Sequence, residues 1–129
     1  MRRSNAHDAA TVAQEIRLDY LGQWGFCDVL VVDGGGHRAH LIDWKFAWSR
    51  YHADSPQFWA YCIGVWDAHP AVESITVHVA HPFRGEIDVE TFSRSEHYGL
   101  LTAKVKAIIA ENDFKDRVYL RVRVQGGGC

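Results

Sequence analysis

Two β-rich runs joined by a glycine turn constrain the fold of this chain most strongly. Residues 25–32, GFCDVLVV, and residues 37–46, HRAHLIDWKF, flank the segment DGGG at 33–36. Glycine supplies the positive φ angles that a tight turn needs, so this pattern is typical of a hairpin. The sequence therefore predicts two adjacent antiparallel strands between residues 25 and 46.

Sequence patterns on either side of the hairpin predict a strand and two helices. Residues 15–21, EIRLDYL, alternate charged and apolar side chains, as a half-exposed strand does. Residues 7–14 favour a short helix with Asn5 as its cap. After the hairpin, Ser55 and Pro56 suit the cap and the first position of a helix that ends near Pro70.

The C-terminal half predicts a strand, a helix and a second strand in succession. Residues 74–83 alternate apolar side chains with the period of a strand. Leucine, valine and isoleucine recur with helical spacing from residue 88 or 91 to about residue 112. Residues 117–124, RVYLRVRV, alternate apolar side chains with tyrosine and arginine, which predicts a final strand.

The resulting order is a short helix, three strands, a helix, a strand, a helix and a strand. This order predicts an α/β or α+β fold in which helices flank a central mixed β-sheet. With 129 residues, of which 47% are apolar and 23% charged, the chain suits a single domain spanning residues 1–129.

Composition excludes several classes of protein. No run approaches the roughly 20 apolar residues of a membrane span, and no signal-peptide pattern is present. We therefore expect no membrane partner and a cytoplasmic location, which would be the host cytoplasm for a viral protein. Three cysteines without CxxC spacing indicate reduced thiols rather than a zinc or iron–sulfur site. The formal net charge of −2 provides no overall basic field for nucleic acid.

The second strand of the hairpin carries an acid and a base two residues apart. Asp43 and Lys45 point to the same side, because side chains alternate along a strand with period two. Burying either charge is costly unless it is paired or holds a metal. Asp28 lies on the first strand of the hairpin, where cross-strand neighbours are about 5 Å apart.

Two clustered carboxylates repel each other unless a cation lies between them. Mg²⁺ and Mn²⁺ suit such a site because they prefer oxygen ligands and use one or two carboxylates plus water or phosphate oxygens. An ammonium such as that of Lys45 can then orient a nucleophile and stabilise charge on a phosphate. Asp28, Asp43 and Lys45 thus predict a layout for phosphodiester hydrolysis.

The sequence resembles the PD-(D/E)xK nucleases in the order of its polar residues. Asp28 on one strand is followed by Asp43-Trp44-Lys45 on the next strand and by Gln57 and Tyr61 on the next helix. The Q-x-x-x-Y spacing is that of the branch containing RecB nuclease domains and phage exonucleases. The likeness covers about residues 15–83 and implies a restriction-endonuclease-like core. A C-terminal helix and strand at 88–125 would complete the nuclease-like domain.

The resemblance implies a metal centre that binds Mg²⁺ or Mn²⁺. Asp28 and Asp43 would hold the ion, together with the backbone carbonyl of Trp44. Glu15 matches an upstream acid that often completes the metal shell in this family.

The resemblance also implies the remaining catalytic roles. Lys45 would position the attacking water, and Gln57 and Tyr61 would hold Lys45 or the DNA phosphate in register. The two helical residues are one turn apart and so share a face. The implied activity is metal-dependent hydrolysis of DNA in phage-type recombination, repair or DNA processing.

Each of these residues also has a purely structural interpretation. Asp43 and Lys45 could form an exposed pair on an edge strand. Gln57 and Tyr61 could merely cap and pack their helix, and Glu15 could face solvent beside other charged residues.

DNA is the expected partner, and two groups of residues are suited to bind it. Arg50, Tyr51 and His52 follow the catalytic strand and could contact a phosphate backbone. Arg121 and Arg123 could do the same, or could form a solvated strand face. The long final strand risks edge pairing, so we also expect a homo-oligomer in contact through the C-terminal strand or helix.

Two other functions compete with that of a nuclease. One is a nucleic-acid-binding module on a nuclease fold that has lost turnover. The other is a structural or oligomerisation domain in which the acid–lysine pair is incidental. Metal binding and turnover distinguish these three.

Overall fold

The computed structural model describes the backbone of residues 9–126 and the side chains of residues 9–112. Five strands and two helices lie in this range. The strands are β1 (Thr11–Tyr20), β2 (Gln23–Val32), β3 (Arg38–Trp44), β4 (Ser74–His81) and β5 (Glu86–Ser93), and the helices are α1 (Pro56–Ala68) and α2 (Arg94–Gly126).

The five strands form one mixed sheet in the order β1-β2-β3-β4-β5. All neighbouring pairs are antiparallel except β3 and β4, which are parallel. Parallel neighbours need a long crossover, and α1 provides it between these two strands. The predicted α+β fold with helices flanking a mixed sheet is confirmed, and β3 lies at its centre.

The predicted hairpin is confirmed as β2 and β3. Their register pairs Val29 with Ile42 and continues to Val32 opposite Ala39. Asp33 N–H donates to the Arg38 carbonyl at 2.9 Å and closes the turn. Gly36 has a φ of 76°, which is the positive value that this glycine-rich segment was expected to supply.

Helix α1 begins at Pro56, as the Ser-Pro pair predicted. The Ser55 carbonyl accepts hydrogen bonds from the N–H groups of Phe58 and Trp59. The Ser55 hydroxyl does not cap the helix and donates instead to the His52 carbonyl at 2.8 Å. The helix buries eight residues, seven of which have a side chain: Phe58, Ala60, Tyr61, Cys62, Ile63, Gly64, Val65 and Trp66.

The predicted helix at residues 7–14 is wrong for the part that the structure describes. Residues 11–14 belong to β1, which pairs with β2 from Thr11 opposite Val32 to Tyr20 opposite Gln23. Ladder hydrogen bonds to β2 outweigh a weak local preference for helix in so short a segment.

The predicted start of the second long helix is also wrong. Residues 86–93, EIDVETFS, form β5 and pair antiparallel with β4, and α2 begins only at Arg94. Ile87 and Val89 alternate with acids along this segment, so a period-two pattern was present. The helix with this spacing therefore begins at Arg94 and not at residue 88 or 91.

The predicted final strand at 117–124 is helical, because α2 continues to Gly126. No glycine or proline interrupts residues 100–125, so each added residue can extend the helical hydrogen bonding. The expectation of an oligomer formed by edge pairing of this strand therefore has no structural basis. Arg121 and Arg123 lie on this part of α2, outside the residues whose side chains are described.

The helices pack on one face of the sheet and bury its alternate side chains. Ala39, Leu41 and Asp43 of β3 are buried on this face, and Ile75, Val77 and Val79 of β4 join them. Within the described residues, no helix is long and apolar enough to cross a membrane.

Candidate functional site

The Asp43 and Lys45 side chains meet at the carboxyl end of the central strand. Asp43 is only 6% exposed, and its Oδ2 atom lies 3.0 Å from Lys45 Nζ. Because β3 is bordered by β2 and β4, the interpretation of this pair as exposed charges on an edge strand is wrong. The ammonium compensates a carboxylate that the fold removes from water.

Asp28 reaches the same point from the neighbouring strand. The β2–β3 ladder ends at Val29 opposite Ile42, so the next residues along it, Asp28 and Asp43, face each other. The Trp44 N–H donates to Asp28 Oδ2 at 2.8 Å and orients this carboxylate towards the end of β3. The hairpin therefore places two acids and one base together.

The environment opposes a negative charge on Asp43. Burial raises the pKa of Asp43, the hydrogen bond and charge of Lys45 lower it, and the adjacent Asp28 raises it again. The net effect is a pKa above the usual value for aspartate. An additional cation between the two acids would relieve both desolvation and repulsion.

Glu15 lies beside Asp28 at an irregular point of β1. Gln14 pairs with Val29 and Ile16 pairs with Cys27, but the intervening Glu15 is absent from the ladder and has a φ of 49°. Left-handed backbone at a glutamate is strained, and such strain is often concentrated at functional sites. Glu15 is exposed and lines a shallow cleft of about 350 Å³ with Phe26, Cys27 and Asp28.

A chain of hydrogen bonds connects Lys45 to helix α1. Lys45 Nζ donates to Gln57 Oε1 at 3.1 Å, and Gln57 Nε2 donates to the Tyr61 hydroxyl at 3.2 Å. Tyr61 in turn donates to the Phe26 carbonyl on β2 at 2.9 Å. Gln57 and Tyr61 thus tie the ammonium to the strand that carries Asp28, beyond their packing in the helix.

Gly25 allows the Tyr61 ring to come close to β2. A Cβ atom at position 25 would lie 3.1 Å from Tyr61 Cε1 and 3.3 Å from the Tyr20 hydroxyl. Any side chain there would displace one of these rings. Gly25, three residues before Asp28, is therefore required by the packing of Tyr61 and Tyr20 against β2.

Two aromatic rings face the Lys45 ammonium. Its Nζ lies 5.2 Å from the centre of the Tyr51 ring and 5.7 Å from that of Phe58. The Tyr51 N–H donates to Nε2 of the buried His81 at 2.8 Å, which holds the loop after β3 against β4. Phe58 and His81 are supporting residues that no sequence motif had indicated.

The other residues predicted to bind DNA are arranged differently. Arg50 donates to both carboxylate oxygens of Glu86 at 2.7 Å, so its charge is already compensated. His52 is exposed, and its carbonyl accepts the Ser55 hydroxyl. The side chains of Arg121 and Arg123 lie outside the described residues.

The donor atoms at the site fit a hard divalent cation. Asp43 Oδ2 is buried, and its described partner is the Lys45 ammonium at 3.0 Å. Asp28, Asp43 and the Trp44 carbonyl offer oxygen ligands of the kind that Mg²⁺ and Mn²⁺ prefer. Within the described residues, however, no three His, Cys, Asp or Glu side chains come together as a metal-binding group.

His40 and His78 lie apart from this site. His40 Nδ1 and His78 Nε2 are 3.1 Å apart on the sheet face opposite Asp43. Burial and the neighbouring His40 lower the pKa of His78, so it is neutral at pH 7. The two free cysteines within the described residues are both buried, and burial raises the pKa of Cys27 to about 11.

No protein-family model and no curated protein sequence matches this chain. Among solved structures, the chain is similar to the one described as "Crystal structure of SSO0001", with a TM-score of 0.37 and 10% sequence identity. The similarity covers 75% of this chain and 50% of that chain, so this chain spans about half the length of that protein. A likeness of this degree supports no conclusion about fold or function.

Proposed function

We propose that this protein is a divalent-metal-dependent nuclease of the PD-(D/E)xK type that hydrolyses phosphodiester bonds in DNA. The supporting observation is the buried Asp43 beside Asp28, with Lys45 3.0 Å from Asp43 and hydrogen-bonded to Gln57. A purely structural ion pair does not require a second acid that raises the pKa of the first. Recombination, repair or DNA processing of the phage type is the proposed setting.

The proposed metal is Mg²⁺ or Mn²⁺. Asp28, Asp43 and the Trp44 carbonyl would hold it, and Glu15 could approach from the wall of the adjoining cleft. The bound ion would supply Lewis-acid stabilisation of a phosphate oxygen and lower the pKa of water.

Lys45 acts as the positioned cation of the proposed reaction. An ammonium has three N–H donors, and its contacts with Asp43 and Gln57 account for two of them. The third can donate to a water molecule or a phosphate oxygen. Its fixed position allows it to stabilise developing negative charge without reorganisation.

Gln57 and Tyr61 act as positioning residues. Gln57 accepts from Lys45 and donates to Tyr61, so rotation of either group would move the ammonium. Burial raises the pKa of Tyr61, and its hydroxyl remains a donor to the Phe26 carbonyl at neutral pH. This arrangement keeps Lys45 directed at the carboxylates.

The proposed DNA contacts are Tyr51, His52 and Arg50 in the loop after β3, with Arg121 and Arg123 as further candidates. Tyr51 is the member of this group that borders Lys45. Arg50 would have to exchange Glu86 for a phosphate, which makes it a weaker contributor than its position suggests.

Incubation of purified protein with linear and circular DNA tests the proposal. We expect cleavage with Mn²⁺ or Mg²⁺, none with chelator, and loss of at least a hundredfold in Asp43→Asn. Asp19→Asn is the matched control, because Asp19 is an exposed acid paired with Arg17 on β1. DNA binding without cleavage would favour the inactive binding module. If the protein neither binds nor cleaves DNA, both functions are refuted.

A further inference from the structure

Three exposed aromatic side chains form a cluster at the end of the sheet that carries Lys45. The aromatic cluster consists of Phe46, Trp48 and Phe83, which are 67%, 70% and 49% exposed. The Phe83 ring lies 6.1 Å from that of Phe46 and 5.2 Å from that of Trp48, measured between ring centres. Large apolar side chains gathered in solvent commonly mark a binding surface.

The fold places the aromatic cluster next to the candidate active site. Phe46 directly follows Lys45 in the chain, and Phe83 lies in the turn between β4 and β5. Because β3 and β4 are parallel, the segments that follow them emerge at the same edge of the sheet as Asp43. The aromatic cluster and the two acids therefore share one end of the molecule.

Charged side chains hold the two segments that carry these rings. Arg84 donates to the Trp48 carbonyl at 3.0 Å and to Glu86 at 3.1 Å. Arg50 also donates to Glu86, so one acid links two arginines from different segments. Arg50, Arg84 and Glu86 together carry one net positive charge, and they brace the backbone that presents the rings.

A shallow cleft adjoins the aromatic cluster. It has a volume of about 330 Å³, and its lining includes Trp44, Ala80, Pro82 and Ile87. The surface beside the candidate active site therefore offers exposed ring faces and a shallow recess that His81 and Glu86 also line.

We propose that the aromatic cluster stacks unpaired bases of single-stranded or frayed DNA whose backbone passes Lys45. This inference rests on the proposed nuclease function and names its substrate class. Aromatic rings attract the faces of bases, and those faces are accessible only when the bases are unpaired.

Binding measurements in chelator test this inference without cleavage. Fluorescence anisotropy compares a labelled single-stranded oligonucleotide, its blunt duplex and an abasic strand of the same length at one salt concentration. Wild-type protein binds the normal strand most tightly, and Trp48→Ala and Phe83→Ala each weaken that binding about 5- to 100-fold. Both variants bind the abasic strand as wild type does, because it retains phosphates but lacks bases.

Leu100→Ala is the matched control, since Leu100 is a 52% exposed apolar residue on α2. Trp48→Phe retains a ring and restores most of the affinity for the normal strand. Equal binding of the normal and abasic strands, or unchanged binding in Trp48→Ala and Phe83→Ala, would overturn the inference. A lower molecular mass of these variants in sedimentation, with unchanged DNA binding, would instead assign the aromatic cluster to contact between copies of the chain.

The two proposals fail in different ways. If wild type cleaves DNA with Mn²⁺ and the ring variants bind and cleave single strands normally, only the stacking inference is wrong. If the rings bind unpaired bases but no metal supports cleavage, the nuclease function is wrong and the base-binding surface stands. Absence of any nucleic-acid binding would overturn the stacking inference.

Discussion

Replacing Lys45 by methionine removes the ammonium that lies 3.0 Å from Asp43 Oδ2 while retaining a long side chain. In wild type, Lys45 partly offsets the effect of burial on the pKa of Asp43. In Lys45→Met, burial and the adjacent Asp28 act without that offset, so the pKa of Asp43 rises further above its ordinary value.

The sign of the pH dependence follows from this shift. A carboxyl group whose pKa is higher in the folded state contributes stability below its unfolded pKa. That contribution is lost as the pH rises through the folded pKa. Because the folded pKa of Asp43 is higher in Lys45→Met than in wild type, the stability difference between the two proteins grows as the pH rises.

The magnitude follows from the geometry of the pair. Side-chain exposures of 8% for Asp43 and 20% for Lys45 place it among buried pairs. Removing one partner of a buried pair costs about 3–5 kcal/mol, and the lower end applies because Asp43 can take up a proton. Each kcal/mol shifts Tm by about 3–5 °C in a domain of this size, so we expect a deficit of about 10 °C at pH 8. At pH 5 the deficit should be smaller, because a larger share of Asp43 is then protonated and needs no counter-charge.

Thermal unfolding followed by circular dichroism at pH 5, 6, 7 and 8, with chelator and constant ionic strength, measures this difference. Lys104→Met is the matched control, because the Lys104 ammonium lies over the Trp59 ring on the helical side of the molecule. A Lys45→Met deficit that is equal at pH 5 and pH 8 would refute the reasoning. So would the same pH dependence in the control.

Three further results are expected. Mn²⁺ at about 100 times its Kd should stabilise wild type by about 2.7 kcal/mol in thermal unfolding. Asp43→Asn should show no such gain. In chelator at pH 8 the Tm of Asp43→Asn should be higher than that of wild type, because the buried side chain no longer carries a charge. Gln57→Leu should lower DNA cleavage about tenfold or more with little change in Tm, since it removes the positioning of Lys45; a fall in Tm without loss of cleavage would contradict this. Gly25→Ala should cost about 1–3 kcal/mol in denaturant unfolding, because its Cβ would lie 3.1 Å from Tyr61; unchanged stability would show that Tyr61 can move freely.

Local patterns in the sequence determined the centre of this fold. The glycine turn predicted the β2–β3 hairpin, and Ser55-Pro56 predicted the start of α1. Period-two alternation was also sufficient to place Asp43 and Lys45 on one side of β3. These features depend on backbone preferences and side-chain periods within a few residues, which a sequence displays directly.

Three segments outside this centre were not predictable in this way. Residues 11–14 and 86–93 became strands because β2 and β4 offered partners for their hydrogen bonds. Residues 117–124 have the alternation of a strand but continue α2. In each case the competing states differ little in local preference, and tertiary pairing or helix propagation determines which one forms.

The tertiary structure alone decided how the site is assembled. Asp28 bonds the Trp44 N–H, Gln57 reaches Lys45 from α1, and Phe83 joins Phe46 beside it. The motif contains Asp28, Lys45 and Gln57 but not their distances, and nothing in the sequence connected Phe83 to them. Such contacts depend on the order of the strands and on how α1 packs against the sheet. Burial of the whole core determines both, so the periodicity of a single segment does not reveal these contacts.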